Sequence, residues 1–203
     1  MQHEQFSNPS GDEGKRTLEH MNEHHRGLAE WALSVLPDIQ AKRILDVGCG
    51  GGMLISLLSE LFPDSRIVGI DISEDAVGFT KEMNHRLMKE GRLDVVLGSV
   101  SELPFKDSDF DLVTAFETYF FWPDLCNDIK ELYRVMKDNG TVLIVSETYP
   151  HPKFNDRNVQ LIKDYGMNIL GNNELAELME DAGFTVEIIE IEDNNWIAFL
   201  GTK

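Results

Sequence analysis

The sequence predicts an α/β fold: a doubly wound seven-stranded sheet, mostly parallel with one antiparallel strand, and helices on both faces. Three observations carry that expectation. Short apolar runs alternate with segments of helical periodicity, the pattern of βαβ units. A dense run of glycines stands directly after the first apolar run. Two late apolar runs flank Asp193-Asn194-Asn195, which reads as a hairpin and supplies the antiparallel strand.

Residues 1–14 have a loose Ser, Asn, Pro and Gly composition and read as a flexible tail. From Lys15 to Leu36, Leu18, Met21, Leu28, Trp31, Ala32, Val35 and Leu36 recur at three- and four-residue steps. That is a helical period, with a gap near Asn22, a candidate cap for a second helix. Arg43–Gly48 is a buried-type strand ending in glycines, Met53–Leu61 a helix and Arg66–Asp71 a second strand. Ser73 caps a helix running to about Glu90. Leu93–Gly98 and Phe110–Ala115 are strands, and Asp124–Met136 is the helix after them. Asn139-Gly140 is a turn signal ahead of the strand Thr141–Glu147. Asn173–Asp181 is a helix closed by Gly183, and Phe184–Glu190 and Trp196–Gly201 complete the sheet. Residues 15–203 are read as one domain. Sheets of this kind bind ligands at the carboxyl ends of their strands, beside the topological switch point.

Composition narrows the function. The 203 residues hold 18 Lys and Arg against 36 Asp and Glu, a formal charge of −18. Nucleic-acid binding rests on neutralising phosphates with basic side chains, so that balance opposes it, and it disfavours anionic membrane surfaces as well. Two cysteines, Cys49 and Cys126, make neither a disulfide framework nor a CxxC zinc pair; both are read as structural, in a reducing, cytoplasmic setting. No apolar run approaches the roughly 20 residues that span a bilayer.

The chemistry starts at Asp46-Val47-Gly48-Cys49-Gly50-Gly51-Gly52. Glycines let the backbone turn tightly and let a ligand approach where a Cβ would collide. The helix N-terminus that follows attracts negative charge. No Gly-Lys-Ser/Thr follows, so this is not a P-loop, and a dinucleotide loop counted from Gly48 needs glycine where Met53 stands. Twenty-one residues past Gly50, at the end of the second strand, Asp71 is placed to accept hydrogen bonds from ribose hydroxyls.

Ile44–Gly52 (ILDVGCGGG), Gly69–Ser73 (GIDIS), Gly98–Phe105 (GSVSELPF), Phe110–Ala115 (FDLVTA) and Leu132–Ile144 (LYRVMKDNGTVLI) resemble, in order, the motifs of class I S-adenosylmethionine-dependent methyltransferases, of the small-molecule, methyltransferase-11-like type. The resemblance implies a Rossmann-like fold that binds S-adenosyl-L-methionine and releases S-adenosyl-L-homocysteine. It implies that Gly48, Cys49 and Gly50 pass beneath the cofactor and that Asp46 steadies the loop and contacts the amino-acid moiety. Asp71 then holds the ribose, Ile72 packs on the adenine, and Val100 adds a backbone N–H and an apolar wall. Ser99 stands where many members carry an acidic residue facing the adenine amino group. Phe116 and Glu117 fall near the methionine end.

Two segments point to the acceptor. Glu117-Thr118-Tyr119-Phe120-Phe121-Trp122 follows the fourth strand at the expected active edge; Tyr119, whose hydroxyl is a polar handle, is the better pocket candidate, and Glu117 joins it as a catalytic candidate. Met21–Leu33 resembles the N-terminal helix that closes over the site in a small-molecule subgroup, so residues 15–36 are expected to form a helical lid. His25 is the favoured general base or substrate contact. His20 and His24 stand four apart, but no HExxH occurs and no third ligand is evident, so no metal is expected. Tyr149–Asn172, with Lys153, Arg157 and Lys163, reads as a second lid segment. The Asn/Asp-Pro-Pro-Tyr motif of nucleic-acid amino-methylating enzymes is missing. The expected activity is therefore methyl transfer to a small-molecule acceptor, without nucleic acid or membrane, as a monomer or homodimer. A protein or peptide methyltransferase and a non-catalytic cofactor-binding regulator stand as alternatives.

Overall fold

The computed structural model describes residues 4–203. In chain order its elements are α1 (Glu4–Ser7), α2 (Gly11–His24), α3 (Arg26–Ser34), β1 (Arg43–Val47), α4 (Met53–Leu61), β2 (Arg66–Asp71), α5 (Glu74–Met83), α6 (His85–Lys89), β3 (Leu93–Leu97), β4 (Phe110–Phe116), α7 (Leu125–Val135), β5 (Met136–Ser146), α8 (Asn155–Tyr165), α9 (Asn172–Ala182), β6 (Thr185–Ile191) and β7 (Trp196–Thr202). The sheet runs β3-β2-β1-β4-β5-β7-β6. Its first five strands are parallel, and β7 is antiparallel to both β5 and β6. This is the predicted seven-stranded architecture.

Side chains alternate across the pleat, so neighbours in β1 face opposite layers. Ile44 packs with Leu58, Ile67 and Leu112 beneath α4 and α5. Leu45 packs with Val113, Ile129, Leu132 and Met179 beneath α7 and α9. Leu28 and Ala32 of α3 cover Leu143, Val145 and Ala198. Burial on both faces is why β1 reads as a continuous apolar run. The chain builds β2 and β3 on one side of β1 and β4 and β5 on the other. The carboxyl ends of β1 and β4, where Val47 pairs with Ala115, therefore open the crevice at which such sheets hold ligands.

Four local expectations change. Residues 4–14 are not a loose tail; the rest of the predicted tail lies outside the described residues. Gly11 N–H donates to Asp75 Oδ2 at 2.6 Å, the Ser73 hydroxyl donates to the Pro9 carbonyl, and Phe6 packs on Tyr165 with ring centroids 4.6 Å apart. These distant partners, which composition cannot reveal, let α2 begin at Gly11. The N-terminal helical stretch divides at His25 (φ −87°, ψ 1°) and not at Asn22, whose amide donates to the Gly51 carbonyl at 2.9 Å and does not cap a helix. The helix capped by Ser73 ends at Met83. There the Asn84 side chain turns to the Gly52 carbonyl at 3.0 Å and accepts the Ser56 hydroxyl at 2.7 Å. Finally, α8 occupies the middle of the segment read only as a lid.

Candidate active site

The loop after β1 is shaped by its glycines. Gly48 has φ +69°, and the Thr118 hydroxyl lies against the face where a Cβ would project. Only glycine meets both conditions without strain. Gly48 and Cys49 N–H groups donate to the Ile70 carbonyl at 2.8 and 3.1 Å, and Thr80 Oγ1 donates to the Gly50 carbonyl at 2.7 Å. Asp71 closes the arrangement: Oδ2 accepts Gly50 N–H and Oδ1 accepts Ser73 N–H, each at 2.9 Å. Burial raises the Asp71 pKa above the usual carboxylate value, against those backbone hydrogen bonds.

A cavity of about 330 Å³ opens over this loop, within the range of small-molecule sites. Gly48, Gly50, Asp71, Ile72, Ser99, Val100, Phe116 and Glu117 line it, with Phe6, Pro9, Leu18 and Met21 as a roof. One end combines a carboxylate with the exposed face of Ile72 and the buried Val100, which suits a ribose bearing a flat apolar base. Asp46 and Cys49 border instead a pocket of about 50 Å³ between the loop and α2. Asp46 Oδ1 accepts the Thr114 hydroxyl at 2.7 Å. Burial pushes the Asp46 pKa up to about 7, the Thr114 hydrogen bond opposing. Cys49 Sγ turns toward Thr80 Oγ1, 3.8 Å away, and burial drives its thiol well above the ordinary range. Cys126, expected to be a packing residue, is exposed on α7.

A second cavity of about 210 Å³ adjoins the first; Phe6, Met21, Glu117 and Phe121 line both. Its other walls are His20, His24 and His25 from the α2–α3 junction, Phe120, Glu147 and Thr148 after β5, and Leu161, Tyr165 and Met167 from α8 and beyond. Glu117 has φ +54°, uncommon for a side chain of its kind. Its N–H donates to the Val145 carbonyl at 3.0 Å, and its carboxylate accepts the Glu147 N–H. Burial, with Glu147 nearby, raises the Glu117 pKa to about 8, so this side chain is neutral and a proton donor near pH 7. Burial lowers the His25 pKa to about 4, Glu147 opposing, which leaves an uncharged imidazole.

Of the sequence candidates, Glu117 lies at the seam of the two cavities and His25 lines the smaller one. Tyr119 does not: it is 1% exposed, lies in the core beneath α7 and α9, and lines neither cavity. Its ring is one of four consecutive aromatics, and the short turn at Tyr119–Phe121 sends Tyr119 inward while Phe121 faces both cavities. Tyr149, the first residue of the second lid segment, is likewise buried and lines neither. Glu147 and Thr148 were missed, for they follow an unremarkable apolar strand and carry no local motif. The roof residues Phe6 and Pro9 were missed because they fell in the presumed tail.

Residues 45–144 match the model of a family described as methyltransferase domain. The chain is 32% identical over 106 residues to fatty-acid O-methyltransferase of Mycolicibacterium smegmatis, the match covering 52% of this chain and 37% of that protein. It is 28% identical over 168 residues to demethylmenaquinone methyltransferase of Listeria welshimeri, covering 70% of each. Geranyl diphosphate C-methyltransferase from Streptomyces coelicolor, solved with Mg2+, geranyl diphosphate and S-adenosyl-L-homocysteine, superposes with a TM-score of 0.76 at 15% identity, over 97% of this chain and 86% of that one. At that identity the likeness concerns the fold. Among the described residues, no helix is long and apolar enough to cross a membrane.

Proposed function

The chain belongs to the class I S-adenosylmethionine-dependent methyltransferases, and on that premise we propose that it methylates a small, largely apolar acceptor held in the cavity beside the cofactor site. The observation that carries this reading is the pair of adjoining cavities sharing Phe6, Met21, Glu117 and Phe121. When bound, S-adenosyl-L-methionine supplies an electrophilic methyl on a sulfonium. The rest is done by this chain's own groups.

In this reading, Asp71 accepts hydrogen bonds from the ribose hydroxyls with lone pairs that Gly50 and Ser73 leave open. Ile72 and Val100 hold the adenine between them, and the Ser99 hydroxyl meets its edge. Gly48 and Gly50 offer a surface without side chains to the amino-acid portion, and Phe116 closes that end. Asp46 acts one step back, through the loop it steadies. On the acceptor side, Phe120, Phe121, Leu161 and Met167 receive an apolar body, and His25 and Glu117 contact its reactive group. Holding the two reactants together in a space shielded from water removes much of the entropic barrier. The two curated relatives above bear names of enzymes acting on fatty acids and demethylmenaquinone, which supports an apolar acceptor. The enclosing walls from α2 and α8 support a small acceptor over a peptide.

The test is calorimetry with S-adenosyl-L-methionine, S-adenosyl-L-homocysteine and NAD, followed by transfer of a labelled methyl group to a panel of apolar acids, phenols, quinols and amines. Micromolar binding of the first two, none of NAD, and labelling of a panel member is the expected result. A folded protein that does not bind S-adenosyl-L-methionine overturns the reading.

A further inference from the structure

The wall of the smaller cavity carries a cluster of which the methyltransferase reading uses only His25. His24, His25 and Glu147 each bring one donor atom to a single point, all within 4.8 Å of one another. Glu147 Oε1 stands 3.2 Å from His24 Nε2 and 3.8 Å from His25 Nε2. Metal–nitrogen and metal–oxygen bonds of about 2.0–2.2 Å around a tetrahedral ion separate its ligands by roughly 3.3–3.6 Å. The two edges to Glu147 therefore need only a few tenths of an ångström of adjustment.

Two adjacent residues of a continuous helix point about 100° apart and do not share a ligand. Here they do, because α2 ends at His24 and the chain turns through His25, at φ −87° and ψ 1°, before α3 begins. The third ligand is fixed from outside. The Glu147 carbonyl accepts Arg157 Nη2 at 2.6 Å and Asn195 Nδ2 at 3.0 Å, while its N–H donates to Glu117. Asn195 adopts φ +57° in the β6–β7 hairpin and is fully buried. These bonds fix the Glu147 backbone on both sides, while its side chain stays 21% exposed at the cavity wall.

We propose that His24, His25 and Glu147 form a binding site for a first-row divalent transition ion, with its open positions facing the acceptor cavity. Two imidazoles and one carboxylate suit Zn2+, Co2+, Fe2+ or Mn2+ better than Mg2+ or Ca2+, which prefer oxygen ligands alone. The site rests on the reading of the smaller cavity as the acceptor chamber, and it narrows the acceptor to molecules with an oxygen or nitrogen able to ligate the ion. A bound hydroxyl would lose its proton to solvent more readily on the ion. Its lone pair would then form the new bond to the methyl carbon as the carbon–sulfur bond breaks, leaving neutral S-adenosyl-L-homocysteine.

The experiment is titration of the full-length, chelator-treated protein with Co2+ alone, read by visible d–d absorption, and with Zn2+ by calorimetry, beside an S-adenosyl-L-methionine titration of the same samples. One equivalent of Co2+ giving intense bands of low coordination number, displaced by Zn2+, is expected. Glu147→Gln and His24→Ala should each weaken Zn2+ binding at least tenfold; His24 is more than half exposed, so its removal leaves folding intact. Absence of the bands, or Zn2+ binding unchanged in both variants, overturns the site. S-adenosyl-L-methionine affinity within threefold of the parent in both variants keeps this outcome separate from the cofactor reading, which fails only if that titration is silent.

Discussion

Asp71 Oδ2 accepts the Gly50 N–H at 2.9 Å, across a gap of 21 residues in sequence. The ribose-binding candidate is thus also the clamp that holds the glycine loop against β2, and its second oxygen is committed to Ser73. On the proposed reading, cofactor affinity and loop order are coupled through this one carboxylate.

Asp71→Ala is accordingly expected to weaken S-adenosyl-L-methionine binding by roughly tenfold to a hundredfold, the scale of a charge-assisted hydrogen bond. It should also lower the unfolding midpoint of the free protein. Asp71→Asn, which keeps one acceptor oxygen, should fall between. Calorimetry and thermal unfolding on all three proteins check this, and an unchanged dissociation constant for the alanine variant removes the ribose assignment.

Gly48→Ala introduces a Cβ at φ +69° against the Thr118 side chain. A loss of about 1–3 kcal/mol in urea unfolding is expected. Adding Thr118→Gly, which removes both the hydroxyl and the Cβ that a residue-48 Cβ would meet, should relieve the collision but not the backbone part. A double variant no better than Gly48→Ala shows that Thr118 is not the obstacle.

Tyr119→Phe tests a core role against a catalytic one. The Tyr119 hydroxyl takes a hydrogen bond from the Leu170 backbone and is buried, which raises its pKa. Removing it is expected to cost about 1 kcal/mol of stability and to leave kcat/KM within twofold. A tenfold loss of kcat at full stability would return Tyr119 to the site.

Asp46 gives the free protein a pH dependence. Its pKa moves from 3.8 to about 7 on folding, so the folded chain binds the additional proton between those values. The associated stability is complete below pH 3.8 and disappears as pH rises through 7. Asp46→Asn keeps an acceptor for Thr114 and never ionises. The variant's unfolding midpoint should therefore gain on the parent's between pH 3.8 and about 7, and no further above that. A constant difference over that span shows that Asp46 does not titrate there.

The sheet was legible because its strands are buried on both faces and announce themselves as apolar runs: Met53–Leu61 and Arg66–Asp71 have the expected bounds. The larger cavity was legible because most of its lining lies close in sequence to strand ends, where one rule places ligands. The smaller cavity was not. His25 and Glu117 had local signals, but Glu147 joins them only through the packing of α2 over the end of β5. Tyr119 and Phe121 are two positions apart in one aromatic run, and nothing local says which turns inward. The side chains of Asn22 and Asn84 reach the carbonyls of Gly51 and Gly52, contacts across 29 and 32 residues that no local pattern shows.

The smaller cavity draws only Glu117, Phe120 and Phe121 from residues 45–144; the rest of its wall comes from residues 6–25 and 147–167. Those two stretches contribute helices and no strand. On the proposed reading, the acceptor chamber is therefore encoded mainly in two stretches that flank residues 45–144, and the first of them, through Phe6 and Met21, also roofs the cofactor cavity. Such a division lets a lineage drift to a new acceptor by rewriting residues 147–167 while the glycine loop stands untouched. It also marks the flanks, and not the glycine loop, as the place to engineer a different product.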